Sequence, residues 1–88
     1  MAKRYKVLAK VISQTGKCAC GHKVGDEWVI GTKTPEGMCI SAFNVLMPNT
    51  KVLMFGGSFP YSADPDAINV GCADPKNIVV YQLRRLKS

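Results

Sequence analysis

Thr34 to Pro48 reads TPEGMCISAFNVLMP, and the way this stretch folds decides the class of the whole chain. Thr34 can cap a helix, Pro35 suits the first helical position, and Glu36 complements the positive end of a helix dipole. Pro48 marks a stop, so the reading is a helix from Pro35 to about Met47. Met38, Cys39, Ala42, Phe43 and Leu46 form one apolar stripe along it. Cys39 then faces the core in the second turn.

On the N-terminal side, Tyr5 to Ile12 reads YKVLAKVI. Tyr5, Val7, Ala9 and Val11 share one face and Lys6 and Lys10 the other, which is the alternation of a strand with one wet face. Gly25-Asp26 is a turn leading into a short strand, Glu27 to Ile30. On the C-terminal side, Lys51 to Phe55 is apolar and fits either a strand or a further helical turn. Gly56 to Asp66, GGSFPYSADPD, is a loop dense in Gly, Pro and Asp. Ile68 to Gly71 is a short strand, Cys72 to Asn77 is rich in turn residues, and Ile78 to Leu83 is the last strand. Strands on both sides of one helix predict a small α+β single domain, 1–88, of short antiparallel strands around one central helix.

Within 88 residues, 47% hydrophobic and 20% charged, the composition is that of a globular protein rather than a disordered one. A chain this short builds a thin core, which a metal or a contact with a second copy would strengthen. No apolar run approaches the roughly 18 residues needed to span a bilayer, so no membrane partner is expected. The opening MAKRYKVLAK carries positive charge without an apolar signal core, which predicts a cytoplasmic protein. Thiols stay reduced there, so the four cysteines read as ligands or catalysts rather than structural disulfides.

The net charge of +6 is unevenly placed. Lys3, Arg4, Lys6, Lys10 and Lys17 lie at the start, Arg84, Arg85 and Lys87 at the end, and all six acids lie between Asp26 and Asp74. Pairing of the terminal segments would make one edge basic and attractive to nucleic acid or an acidic protein. No aromatic-rich RNA-binding motif or helix-turn-helix pattern accompanies the charge. The expectation is therefore that Lys and Arg keep terminal edge strands soluble, and nucleic acid is not the expected partner.

The chemistry-bearing residues are Cys18, Cys20, Cys39, Cys72 and the single histidine, His22. Cys18, Cys20 and His22 share a Gly-flanked loop, and glycine lets a backbone approach a bound centre closely. Cys39 falls near a helix N-terminus, which favours the thiolate, the metal-binding form. The spacing is neither that of a zinc finger nor the cysteine run of a ferredoxin. It remains compatible with a Cys₃His zinc site or with a cluster holding one non-cysteine position. Cys39 on an apolar stripe reads equally well as a small core residue.

The chain resembles, over nearly its whole length, a family of small, largely uncharacterised prokaryotic proteins. The matching pieces are Cys18-x-x-Gly21-His22-Lys23-Val24-Gly25-Asp26 and Thr34-Pro35-Glu36-Gly37-Met38-Cys39. Phe55-Gly56-Gly57-Ser58-Phe59-Pro60, Asp64-Pro65-Asp66 and Cys72-x-Asp74-Pro75-x-Asn77 follow in the same order. A strand ending in Leu83-Arg84-Arg85 completes the match. Tyr61 and Asn44 depart from the pattern, where tryptophan and histidine are usual. The resemblance implies a centre held by Cys18, Cys39 and Cys72 with His22 nearby, and treats Cys20 as a local variant. It implies no reaction.

These residues predict a cysteine-ligated metalloprotein, with an iron–sulfur cluster of the 4Fe-4S kind as the first cofactor. Three thiolates would hold it, leaving one iron for His22, Cys20, water or substrate. Electron transfer would call for a protein redox partner. Zinc held by Cys18, His22, Cys39 and Cys72 is the nearest competitor, a closed structural site serving partner binding. A third reading is a metal-free thiol enzyme with Cys18 or Cys20 as nucleophile, His22 as base and Asp26 as orienting carboxylate. Whether the protein is an enzyme stays open. The loop bearing Phe59, Tyr61, Asp64 and Asp66 reads as a recognition surface or, more simply, as a turn-rich connection over a thin core. Asp64, Asp66 and Asp74 lack calcium-loop spacing.

Overall fold

Alternation along the first strand sets the architecture. Val7, Ala9 and Val11 are fully buried while Lys6 and Lys10 are exposed. A computed structural model describes residues 4–16, 21–60, 62–71 and 78–86. Its elements are β1 (Lys6–Gln14), β2 (Glu27–Ile30), α1 (Ile40–Met54), β3 (Ala67–Gly71) and β4 (Val79–Leu86). They form a four-stranded sheet in the order β2-β1-β4-β3, antiparallel at every pairing. This is the small α+β domain expected, with α1 packed across one face of the sheet.

The core lies between α1 and that face. Val7, Ala9 and Val11 meet Val79, Tyr81 and Leu83 of β4, Ile30 of β2, and Ala42, Leu46, Leu53 and Met54 of α1. The registers pair Ala9 with Leu83 and with Trp28, and Ile68 with Leu83, so each strand turns its apolar set inward. A bulge between Val11 and Ser13 bends β1 near its C-terminal end.

Two expectations need correction. The terminal strands are not edges: β1 and β4 are the two middle strands, and β2 and β3 are the edges. The basic residues there answer the acids of the chain's middle instead. Lys10 lies 3.9 Å from Glu27, Arg84 2.9 Å from Asp64, and Arg85 3.1 Å from Asp66.

The helix also begins and ends later than the spacing predicts. Gly37, at φ +84°, makes a turn of Glu36-Gly37 that no right-handed helix accommodates. The helix therefore starts at Ile40, with Cys39 at φ −57°, ψ 132° before it. Pro48 lies inside the helix, not at its end. It supplies no N–H to the carbonyl of Asn44, a cost of about 3 kcal/mol. The turns beyond it bury Leu53 and Met54, worth about 1.5–3 kcal/mol each, which offsets that cost. Lys51 to Phe55 is thus the helix end rather than a strand. The Gly56 N–H donates to the Leu53 carbonyl (3.2 Å) and the Gly57 N–H to the Val52 carbonyl (2.8 Å). With Gly56 at φ +88°, this pair of bonds is a Schellman stop.

No helix among the described residues is long and apolar enough to cross a membrane.

Candidate metal centre

Among the described residues, His22 is the candidate metal ligand that the fold buries, at 6% exposure. Its Nε2 accepts a hydrogen bond from the backbone N–H of Cys39 at 2.9 Å. An N–H can only donate, so Nε2 carries the lone pair and Nδ1 carries the proton of the neutral ring. Two residues 17 apart are thereby joined, and Cys39 is fixed at the start of α1. The first turn of α1 contains no acid. The partial positive charge of a helix start favours a negatively charged sulfur placed beside it.

Aromatic rings wall the histidine. Trp28 meets the His22 ring edge-on with centroids 4.7 Å apart, and Tyr81 lies 6.1 Å beyond Trp28. Trp28 sits on the core-facing side of β2 opposite Ala9. A row of rings therefore links the histidine loop to the centre of the sheet. Neither Trp28 nor Tyr81 stands out in the sequence as part of a site. Their alternation on β2 and β4 was the available signal.

Asp26 does not orient the histidine. Its Oδ2 accepts the Lys23 N–H at 3.0 Å, and its own N–H donates to the Lys23 carbonyl at 3.0 Å. The carboxylate serves the Lys23–Asp26 turn, which removes the orienting group proposed for a thiol nucleophile.

Cys18, Cys20, Cys72 and Asp74 lie outside the described residues. The residues flanking them are informative. β1 ends at Gln14 paired with Val79, and the Thr15 N–H donates to the Ile78 carbonyl at 2.8 Å. β3 ends at Gly71, paired with Val80. The chain thus enters the 17–20 segment beside the point where it leaves the 72–77 segment. It leaves 17–20 at Gly21-His22, whose imidazole holds Cys39. The chain enters the 17–20 segment and enters and leaves the 72–77 segment at one end of the sheet, while Cys39 is held by His22 beside Trp28. Among the described residues, no three His, Cys, Asp or Glu side chains converge.

The described part of the Gly56 to Asp66 loop is tied to the rest of the fold. Phe59 packs on the core. The Ser62 hydroxyl donates to the Ala67 carbonyl at 2.7 Å, with the Asp64 carbonyl also within 3.0 Å, and Asp64 and Asp66 are paired with Arg84 and Arg85. Tyr61 lies outside the described residues. Comparison with models of known families, with curated proteins and with solved structures gives no match.

Proposed function

We propose that this chain is a small metalloprotein in which Cys18, Cys39 and Cys72 hold an iron–sulfur cluster. The observation that carries the reading is the engagement of His22 Nε2 by the Cys39 amide. A closed zinc site of Cys₃His type would need that nitrogen, or a ring turned to offer Nδ1. With Nε2 committed, three thiolates remain as the ligand set and the fourth position stays open or falls to Cys20. Further support comes from the 17–20 and 72–77 segments departing from the same sheet end and from the helix start that follows Cys39. A cluster so bound supplies one-electron transfer, or ligand binding at the iron that lacks a protein ligand. His22 holds the Cys39 backbone in place, and Trp28 and Tyr81 keep water from the inner side of the histidine. The cytoplasm is the compartment in which such thiolates persist, and a protein redox partner is the counterpart of an electron-transferring role.

The test is iron, zinc and acid-labile sulfide content, with an absorption spectrum, on protein purified without oxygen. Iron and sulfide in comparable amounts are expected. They should be lost in Cys18→Ser, Cys39→Ser and Cys72→Ser and kept in Cys20→Ser. Zinc without sulfide would replace the cluster with a structural site. Folded protein holding no metal at all would end the reading.

A further inference from the structure

Strand β3 closes one side of the sheet, and its hydrogen-bonding phase fixes which of its groups face outward. The Arg85 N–H donates to the Asp66 carbonyl at 2.7 Å. In an antiparallel ladder, pairs that exchange such bonds alternate with pairs that do not. With Ala67 opposite Arg84, it is therefore Ile68 and Val70 that bond to Leu83 and Tyr81 of β4. Ala67, Asn69 and Gly71 turn their N–H and C=O groups away from the sheet.

Ala67 is already closed off within the chain. Its N–H donates to the Asp64 carbonyl at 3.2 Å, and its carbonyl accepts the Ser62 hydroxyl at 2.7 Å. Asn69 and Gly71 are exposed. Among the described residues, no group meets their outward N–H and C=O.

Sheets guard such edges with lysine, proline or bulges. β3, Ala67-Ile68-Asn69-Val70-Gly71, contains neither a charge nor a proline. The other edge is different. The Val11 N–H donates to the Asp26 carbonyl at 2.9 Å, and the same alternation turns Glu27 and Val29 outward on β2. That strand has only four residues, and it carries the charge of Glu27 beside Lys10. Near β3, Asp64 and Asp66 are matched by Arg84 and Arg85. In a chain of net charge +6, β3 is thus an edge where like molecules can meet without repulsion.

Its free groups also complement themselves. About a two-fold axis through Val70, Asn69 of one copy faces Gly71 of the other, and Gly71 faces Asn69. Each of these two pairs exchanges two N–H···O bonds, so four bonds engage every free group. None is taken that Ser62 or Asp64 already holds, whereas a register centred on Asn69 would call on Ala67. Val70, half-buried against the core, meets its own counterpart as a close pair of β-branched side chains.

We infer that β3 pairs antiparallel with β3 of a second copy of this chain, joining two four-stranded sheets into one of eight strands. The contact is small, so the dimer is weak and forms with rising concentration. It requires no metal and is independent of the cysteine-bearing segments.

Sedimentation equilibrium of the full chain under reductant, from micromolar to millimolar, tests this together with amide hydrogen exchange followed by NMR. A monomer–dimer equilibrium is expected. The amides of Asn69 and Gly71 should exchange more slowly as the protein is concentrated, while those of Glu27 and Val29 stay fast. Asn69→Pro removes an outward N–H and leaves the β3–β4 ladder intact. With two of the four bonds lost, the dimer should weaken about thirtyfold. Asn69→Lys changes only an exposed side chain; it should weaken the dimer severalfold and leave the melting temperature of the monomer unchanged. Sedimentation as a monomer at every concentration would overturn the inference. So would a dimer in which Asn69 and Gly71 exchange as fast as Glu27 and Val29, because another surface would then hold it. Protection of Asn69 and Gly71 that does not change with concentration would mean that the chain covers its own edge, and would overturn it equally.

Discussion

The imidazole of His22 and the backbone amide of Cys39 are joined by a 2.9 Å hydrogen bond, and this contact fixes where α1 begins. Cys39 has no side-chain cap of its own, so one of the unsatisfied N–H groups at the helix start is met by a histidine from a distant loop. While that bond is made, the Nε2 lone pair is not offered to a metal. His22 thus acts as a positioning residue for Cys39.

His22→Phe should therefore cost about 1–3 kcal/mol of stability, because the amide of Cys39 loses its acceptor in a partly buried place. His22→Gln, whose carbonyl can accept the same bond, should recover part of the loss. In protein purified without oxygen, His22→Gln should keep its iron and sulfide, whereas Cys39→Ser should lose both. Equal loss of metal in the two variants would make His22 a ligand and return the zinc site to contention.

Adjacent arginines on β4 should behave very differently. Arg85 is 9% exposed. Its Nε donates to the Leu53 carbonyl at 2.9 Å, its Nη1 to Asp66 at 3.1 Å, and its Nη2 to the Gly57 carbonyl. Its guanidinium also lies 5.4 Å from the centre of the Tyr5 ring. It ties the helix end, the following loop and β4 together. Arg85→Ala removes all of these bonds at once, and the charged bond to Asp66 alone is worth about 1.5–3 kcal/mol, a large part of a small domain's stability. Arg84 and Asp64 are 42% and 44% exposed. Their pair is worth no more than about 1 kcal/mol. Urea unfolding of Arg84→Ala and Arg85→Ala should separate the two, and equal midpoints would refute the latch.

Much of the sheet was legible because a strand's period of two is local. Val7, Ala9 and Val11 announce the buried face of β1, and β2 occupies the residues its turn signal predicts. The helix limits were not, because Gly37 spends its conformational freedom on a turn and Pro48 is tolerated where its ring faces solvent. The acids of Asp64-Pro65-Asp66 and the arginines of Leu83-Arg84-Arg85 stand out in the sequence. Their pairing needed the β3–β4 register, which places Ala67 opposite Arg84. The His22–Cys39 bond depends on the path of the chain over the sheet, and no local pattern encodes it. Cys18, Cys20 and Cys72 stay at the sequence level, with only their flanks placed.

Replacing the internal proline should stabilise the protein. Pro48→Ala restores an N–H for the Asn44 carbonyl and removes the ring from the helix interior, a gain of about 3 kcal/mol. A freer unfolded chain takes back about 0.4–1 kcal/mol. The expected net is about 2 kcal/mol, read as a higher urea midpoint with unchanged slope. A lower midpoint would mean that Leu53 and Met54 reach the core only through a bend at Pro48.

The two glycines after α1 should resist substitution for different reasons. Gly56 has φ +88° and open space around its missing Cβ. Gly56→Ala therefore costs about 1–2 kcal/mol through backbone strain alone. Gly57 has ordinary backbone, but a Cβ there would lie 2.7 Å from Val52 Cγ1 and 3.0 Å from the Val52 carbonyl oxygen. That carbonyl cannot retreat without breaking its 2.8 Å bond from the Gly57 N–H, so Gly57→Ala should cost about 1–3 kcal/mol through crowding. Shortening Val52 to alanine removes the nearer obstacle. In a Val52→Ala background the penalty of Gly57→Ala should fall while that of Gly56→Ala stays the same, measured as differences in urea midpoint against Val52→Ala alone. An undiminished Gly57→Ala penalty would place the whole crowding on the carbonyl, and with it on the hydrogen bond that ends the helix.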